Sequence, residues 1–174
     1  KFGGTSVGSV DSIRQIQHII GQQTDDCIVV VSALGGITDQ LLKAAHLALE
    51  AGEEYMEVYQ AIRCRHMDMV NTLITNPTTR QMLCLELEGI LDELRSILFG
   101  VHLVKDLSDK TEAAIVSYGE RMSSRIVTAA LPGAVRKNSL QFIRTEHKQG
   151  QVLLNTELTE QLIHHAFSPI PHLS

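Results

Sequence analysis

The residues best suited to chemistry stand at the head of the chain, where Lys1-Phe2-Gly3-Gly4-Thr5-Ser6-Val7 joins a lysine to a glycine pair and two hydroxyls. Adjacent glycines let backbone N–H groups approach an anion closely, the lysine adds a mobile positive charge, and the N-terminus of a following helix adds its dipole. Together these make a phosphate site. It is not a Walker loop, because no Gly-Lys-Ser/Thr closes it after four intervening residues. A bare glycine pair would be read as an ordinary strand-to-helix turn; Lys1 and the hydroxyls tip the reading toward an anion. A second glycine loop, Ser32-Ala33-Leu34-Gly35-Gly36-Ile37-Thr38, follows an apolar run. A third cluster, Tyr118-Gly119-Glu120-Arg121-Met122-Ser123-Ser124, sets a carboxylate beside a glycine within a helical pattern. Glycine there costs about 1 kcal/mol relative to alanine, so a break or a close backbone approach is expected. On composition alone Glu120 and Arg121 read as a solvated helix face, and beside a break Glu120 would point into a crevice.

The elements that must position these residues follow from periodicity. Ser9 or Asp11 caps a helix with Ile13, Ile16, Ile19 and Ile20 at helical spacing, and Gly21 helps to end it. Cys27 to Val31 is a continuous, largely β-branched run, the pattern of a strand buried on both faces in a parallel sheet. Strand, helix, strand with a right-handed crossover is the default connection. Thr38 is expected to cap a helix over 39–50. Ligands of open α/β sheets bind at the carboxyl ends of the strands, so both glycine loops should face one crevice.

From Glu53 to Val101 the pattern is helical, broken at Asn76-Pro77-Thr78, and reads as an antiparallel hairpin over 53–101. Its second arm carries Leu83, Leu87, Ile90, Leu91, Leu94, Ile97 and Leu98, answered by Val58, Ile62, Met69 and Leu73. Glu53, Glu54 and Glu57 suit a helix N-terminus. Arg63, Arg65 and His66 read as a solvated basic face. Ser108 caps a helix that runs to Leu131 and stops at Pro132-Gly133; Leu140 to Thr145 reads as a short strand, and Thr156 opens a last helix to Ala166 that Pro169 and Pro171 end.

Composition excludes several classes of function. The 174 residues carry a formal charge of −5 and a pI near 5.9, so no nucleic-acid partner is expected, since that binding draws on clustered Lys and Arg. Aromatics are only 4%, which makes the core aliphatic. The longest apolar run falls far short of the roughly 20 residues of a membrane span, so no membrane partner is expected either. Cys27, Cys64 and Cys84 are widely spaced among apolar residues and read as buried thiols in a reducing, cytoplasmic setting. His164-His165 lies on one helix with no neighbouring ligand at metal spacing, so no metal site is expected. The chain opens on Lys1 with no apolar strand ahead of its loop, which reads as a segment of a longer protein.

In order and spacing the three motifs, with Phe142-Ile143-Arg144-Thr145-Glu146, resemble aspartate kinases across essentially the whole chain, and the long helical hairpin resembles the kinase portion of bifunctional aspartokinase–homoserine dehydrogenases in particular. The resemblance implies an α/β amino-acid-kinase fold: an open, mainly parallel sheet with flanking helices and the inserted hairpin. It equates 1–174 with the N-terminal, acceptor-binding lobe, the nucleotide lobe being absent. The implied activity is ATP-dependent phosphorylation of the L-aspartate side chain to 4-phospho-L-aspartate, the first step of aspartate-family amino-acid biosynthesis, with Mg2+ accompanying ATP and nothing held tightly by this lobe alone. By the same resemblance Lys1 is the catalytic residue contacting the transferring phosphate, Gly3 and Gly4 offer it backbone N–H groups, and Ser32, Ala33, Thr38 and Glu120 hold aspartate. A homo-oligomer is expected. The sequence departs from the family at Asn138-Ser139-Leu140, where two charges are lost, and the family's later motifs are missing, so the lobe alone is not expected to be active. Two other readings stay open: another amino-acid kinase of the same fold, and a non-catalytic anion-binding or oligomerisation module with the hairpin as its interface.

Overall fold

A computed structural model describes residues 1–148 and 150–167. It divides into two compact units, 1–134 and 135–174. The first unit holds five helices: α1 (Val10–Gly21), α2 (Ile37–Leu47), α3 (Glu54–Leu73), α4 (Pro77–Val104) and α5 (Asp109–Ala130). The chain writes its own helix starts. Ser9, Asn76 and Ser108 each accept a hydrogen bond from the backbone N–H three residues on, at 3.1, 3.0 and 3.2 Å, and Pro77 occupies the first turn of α4, where a missing N–H costs nothing. α2 departs from expectation. Its cap is Gly36, with φ of 78°, so the helix opens two residues earlier than a Thr38 cap would allow and Thr38 lies inside its first turn. The left-handed backbone at Gly36 makes the sharp turn, and no side-chain cap is used.

α2 packs between α3 and α5, and α4 lies against both α3 and α5. The expected hairpin is present, with its second arm extended to Val104. Leu87, Leu91, Leu94 and Leu98 of α4 are fully buried, each contributing on the order of 1.5–3 kcal/mol. Opposite them α3 turns inward Tyr55, Tyr59, Ile62, His66, Met69, Val70 and Leu73. Val58 is only half-buried, and His66 is wholly buried rather than solvated. Sequence spacing puts His66 in register with Tyr59, Ile62 and Leu73, so the buried face of α3 takes it in. Polar ties fasten the hairpin: Arg63 bonds Glu88 across it, and Arg125 of α5 meets Glu86 at 2.5 Å. Lys105, in left-handed backbone with φ of 54°, donates its ammonium to the carbonyls of Ala48 and Glu50 just past α2, where orphan carbonyls favour a cation.

The expected sheet is represented in this unit by one parallel bridge, Phe2 to Val31. Phe2 N–H donates to Val30 O at 2.8 Å, and Ser32 N–H to Phe2 O at 3.1 Å. The 27–31 run is therefore not buried on both faces: Ile28 and Val30 are 69% and 52% exposed, because double burial needs neighbours on each side and this segment has one among the described residues. The thiols are likewise not buried. Cys27 sits on that open segment, Cys64 on the outer face of α3, and both are exposed, while Cys84 is half-buried.

In the second unit, residues 139–141 form a 3-10 turn rather than the start of a strand. The strands come later, β1 (Thr145–Lys148) and β2 (Gln151–Leu154), paired antiparallel with Thr145 opposite Leu154. Asn138 explains the shift, since its side chain accepts the Leu140 N–H at 3.2 Å and turns the chain. α6 (Thr156–Phe167) begins where expected; Thr159, on its first turn, exchanges hydrogen bonds with both backbone groups of Arg144. Pro169 and Pro171 lie outside the described residues.

His66 gives the core a pH dependence. Its Nδ1 pairs with Ile62 O at 2.7 Å, its Nε2 has no partner among the described residues, and burial pushes its pKa down to about 4. The unfolded chain, titrating near 6.5, then binds the extra proton first, so stability is complete above that value and falls as pH drops toward about 4. We predict a loss of about 3 kcal/mol across this window. Urea midpoints at about pH 7 and about pH 4.5 should differ much less in His66→Leu than in the wild type; equal differences in the two proteins would refute the assignment.

Candidate active site

The parallel pairing of Phe2 with Val31 sends both glycine loops off the same end of the two segments. They then touch. The Gly4 carbonyl lies against Gly35, where an added Cβ would come within 3.0 Å of it, and a Cβ on Gly8 would stand 3.6 Å from the Gly35 nitrogen. Only bare backbone fits this contact. The first loop curls into a 3-10 turn at Thr5–Val7 closed by Ser6 N–H to Gly3 O at 2.9 Å. Among the described residues the Gly3 and Gly4 amides donate to no protein acceptor, and the exposed Lys1 side chain precedes them. A hollow of about 360 Å3 beside this loop is lined by Phe2, Thr5, Ser6, Ser12, Gln15 and Ile16. The hollow itself offers the hydroxyls of Thr5, Ser6 and Ser12 and the side-chain amide of Gln15; the Gly3 and Gly4 amides and the Lys1 ammonium of the adjoining loop are donors of the kind that suits a phosphate. A larger hollow, about 440 Å3, lies between α1 and α3 and includes Cys64, Arg65 and Asp68, but it offers no glycine amides.

α5 brings in the third motif. The helix does not break at Gly119; it passes close to the second loop, and a Cβ at Gly119 would stand 2.7 Å from the Ala33 Cβ. That approach sets Glu120 Oε1 3.2 Å from the Ala33 N–H, which donates to it. Glu120 is half-buried, so its carboxylate is held by the loop and still reaches solvent. One turn on, Ser123 is fully buried and donates its hydroxyl to Ser32 O at 2.6 Å. Arg121 points the other way, onto Glu93 of α4 at 2.7 Å and over the Tyr118 ring at 4.2 Å. Its hydrogen bond holds the Glu93 carboxyl below the usual carboxylate range.

Ser32, Ala33, Glu120, Gly3 and Gly4 are thus drawn into one region through the loop contacts. Thr38 is half-buried in the first turn of α2, on the same loop-to-helix segment, and forms no side-chain hydrogen bond among the described residues. Two participants had no role in the sequence reading. Ser123 stands three residues after Glu120 and so shares its helix face, a signal the motif carried. Arg65, whose Nη2 donates to Gly8 O at 3.3 Å and whose Nη1 lies 3.8 Å from where a Gly36 Cβ would be, gave none, because its reach depends on how α3 docks. Among the described residues no group of three or more His, Cys, Asp or Glu is placed to hold a metal. No described helix is long and apolar enough to cross a membrane.

Paired glycine loops at the ends of parallel segments, with a carboxylate delivered from a neighbouring helix, are an arrangement chemically suited to a phosphate and a charged small molecule. The chain belongs to the amino acid kinase family, whose model matches residues 1–172. It is 32% identical over 135 residues to aspartokinase 2, chloroplastic, of Arabidopsis thaliana, covering 75% of this chain and 24% of that protein. It is 29% identical over 137 residues to the bifunctional aspartokinase/homoserine dehydrogenase of Buchnera aphidicola, covering 75% and 16%. Its fold matches the crystal structure of E. coli aspartokinase III in complex with aspartate and ADP, with a TM-score of 0.81 at 24% identity, over 97% of this chain and 37% of that one. The chain therefore spans about a quarter or less of these two curated relatives.

The Gly119 contact makes a stability prediction. Gly119→Ala forces a Cβ into Ala33 and should cost about 1–3 kcal/mol; Ala33→Gly in the same chain should recover most of it. Denaturant unfolding of the two single variants and the double checks this, and simple additivity would show that the two residues do not share the contact.

Proposed function

We propose that this chain forms the acceptor side of an aspartate kinase, which transfers the γ-phosphoryl group of ATP to the side-chain carboxylate of L-aspartate and yields 4-phospho-L-aspartate and ADP. The observation that carries the reading is the Glu120 to Ala33 hydrogen bond of 3.2 Å, which ties the third motif to the second at the loop that touches the first. The similarity to aspartokinases supports the choice of substrate.

Phosphoryl transfer asks a protein for positioning and charge stabilisation, not for a nucleophile, since the substrate carboxylate itself attacks phosphorus. Lys1 and the Gly3 and Gly4 amides are the groups suited to the charge on the transferring phosphate. Glu120 is suited to the aspartate ammonium, while Ser32, Ala33 and Thr38 offer hydroxyl and backbone groups to its carboxylates. Mg2+ would enter with ATP as part of that substrate. A homo-oligomer in the cytoplasm or an organelle stroma is compatible with this chemistry.

The test is acyl-phosphate formation by the intact gene product, trapped as the hydroxamate, with aspartate, glutamate and acetylglutamate as acceptors. Aspartate should be the preferred acceptor. Glu120→Ala should lower kcat/KM for aspartate about 10- to 100-fold, the scale of a lost charge-assisted hydrogen bond, and Lys1→Ala should lower kcat by about 100-fold or more. Preference for another acceptor, or an unchanged Glu120→Ala enzyme, would overturn the reading.

A further inference from the structure

We infer that Ser123 is a positioning residue for the acceptor site: with Glu120 it clamps the single peptide unit between Ser32 and Ala33 and so aims the Glu120 carboxylate at a cationic group of the substrate. This deepens the proposed function and rests on it.

The geometry is specific. Ser32 C=O and Ala33 N–H belong to one peptide plane, and in a trans peptide they point in opposite directions. α5 binds both ends of that plane, Ser123 Oγ on the carbonyl at 2.6 Å and Glu120 Oε1 on the amide at 3.2 Å. Once both are held, the plane can no longer rotate about the axis joining its two Cα atoms, the soft motion that a loop otherwise retains. The reciprocal effect falls on Glu120. Its Oε1 is committed to the loop, which fixes the carboxylate and leaves Oε2, without a hydrogen-bond partner among the described residues, for a ligand.

Packing does not need the hydroxyl. Gly119 already brings the helix onto Ala33, and an alanine at position 123 would fill nearly the same space. The Ser123 proton has a second acceptor, Glu120 O, at 3.4 Å, but the 2.6 Å bond to Ser32 O is far the shorter and takes it. Ser123 is fully buried, so its own hydroxyl is kept from solvent. What the hydroxyl adds is orientation of the peptide that joins Ser32 and Ala33, two of the proposed substrate contacts.

The experiment is steady-state kinetics on the intact gene product carrying Ser123→Ala and Ser123→Thr, with thermal unfolding alongside. Ser123→Ala should raise KM for aspartate about tenfold, the scale of one lost hydrogen bond, and leave KM for ATP within about twofold. Ser123→Thr, which keeps the hydroxyl, should return KM for aspartate toward the wild-type value. An unchanged KM for aspartate, parallel losses toward both substrates, or failure of both variants to fold would overturn the inference and leave the hydroxyl a structural part. Wild-type protein inactive toward aspartate would sink the substrate reading and this inference with it; an active wild type with an indifferent Ser123→Ala would sink this inference alone.

Discussion

The missing side chain at Gly119 is the constraint on which the rest depends. A Cβ there would lie 2.7 Å from the Ala33 Cβ and 3.4 Å from Leu41, so any larger residue would hold α5 away from the second loop. Only at the observed separation can one helix turn present Glu120 to the Ala33 amide and Ser123 to the Ser32 carbonyl. The glycine's helix penalty of about 1 kcal/mol is offset by the burial of Ala33, Ile37 and Leu41 against it. The same logic governs the loops themselves, where Gly4, Gly8 and Gly35 meet backbone to backbone. Small residues here are the means of approach, and the charged ones act across the distance that approach creates.

The hairpin then serves as a brace. α4 is fastened to α5 by Arg121 with Glu93 and by Arg125 with Glu86, and to the region after α2 by Lys105. These pairs are partly exposed, and such pairs contribute little to stability individually. Their value is in fixing how α5 is rotated, which decides whether position 120 faces the loop. α3 adds Arg65 on the Gly8 carbonyl, so the hairpin reaches both glycine loops without supplying a group suited to the reaction.

Local structure was legible in the sequence: the two glycine loops follow from residue type and spacing, and the helix starts at Ser9 and Ser108 from short-range hydrogen bonds. Glu120 was less so, since composition alone makes it a solvated helix face and only the resemblance of its motif to aspartate kinases turns it toward a ligand. What depended on neighbours was not legible. A run such as Cys27 to Val31 is buried only if other strands and helices cover it, and His66 is buried because α3 turns that face inward. Thr38 reads as a cap by type, yet the left-handed turn at Gly36 decides where α2 begins. Ser123 lay in plain view within its motif, but its partner is a backbone carbonyl 91 residues away, and no side-chain pattern signals a carbonyl.

The central claim is that the two glycine loops and the 119–123 turn of α5 form one acceptor crevice. Amide chemical-shift mapping of the intact protein, titrated with L-aspartate and separately with succinate, which has both carboxylates but no ammonium, tests it most directly. Shifts should centre on Gly3, Gly4, Ser32, Ala33, Thr38 and Glu120 and saturate at lower concentration for aspartate than for succinate. Shifts centred instead on the α1–α3 hollow around Cys64 and Asp68, or equal responses to the two ligands, would contradict it.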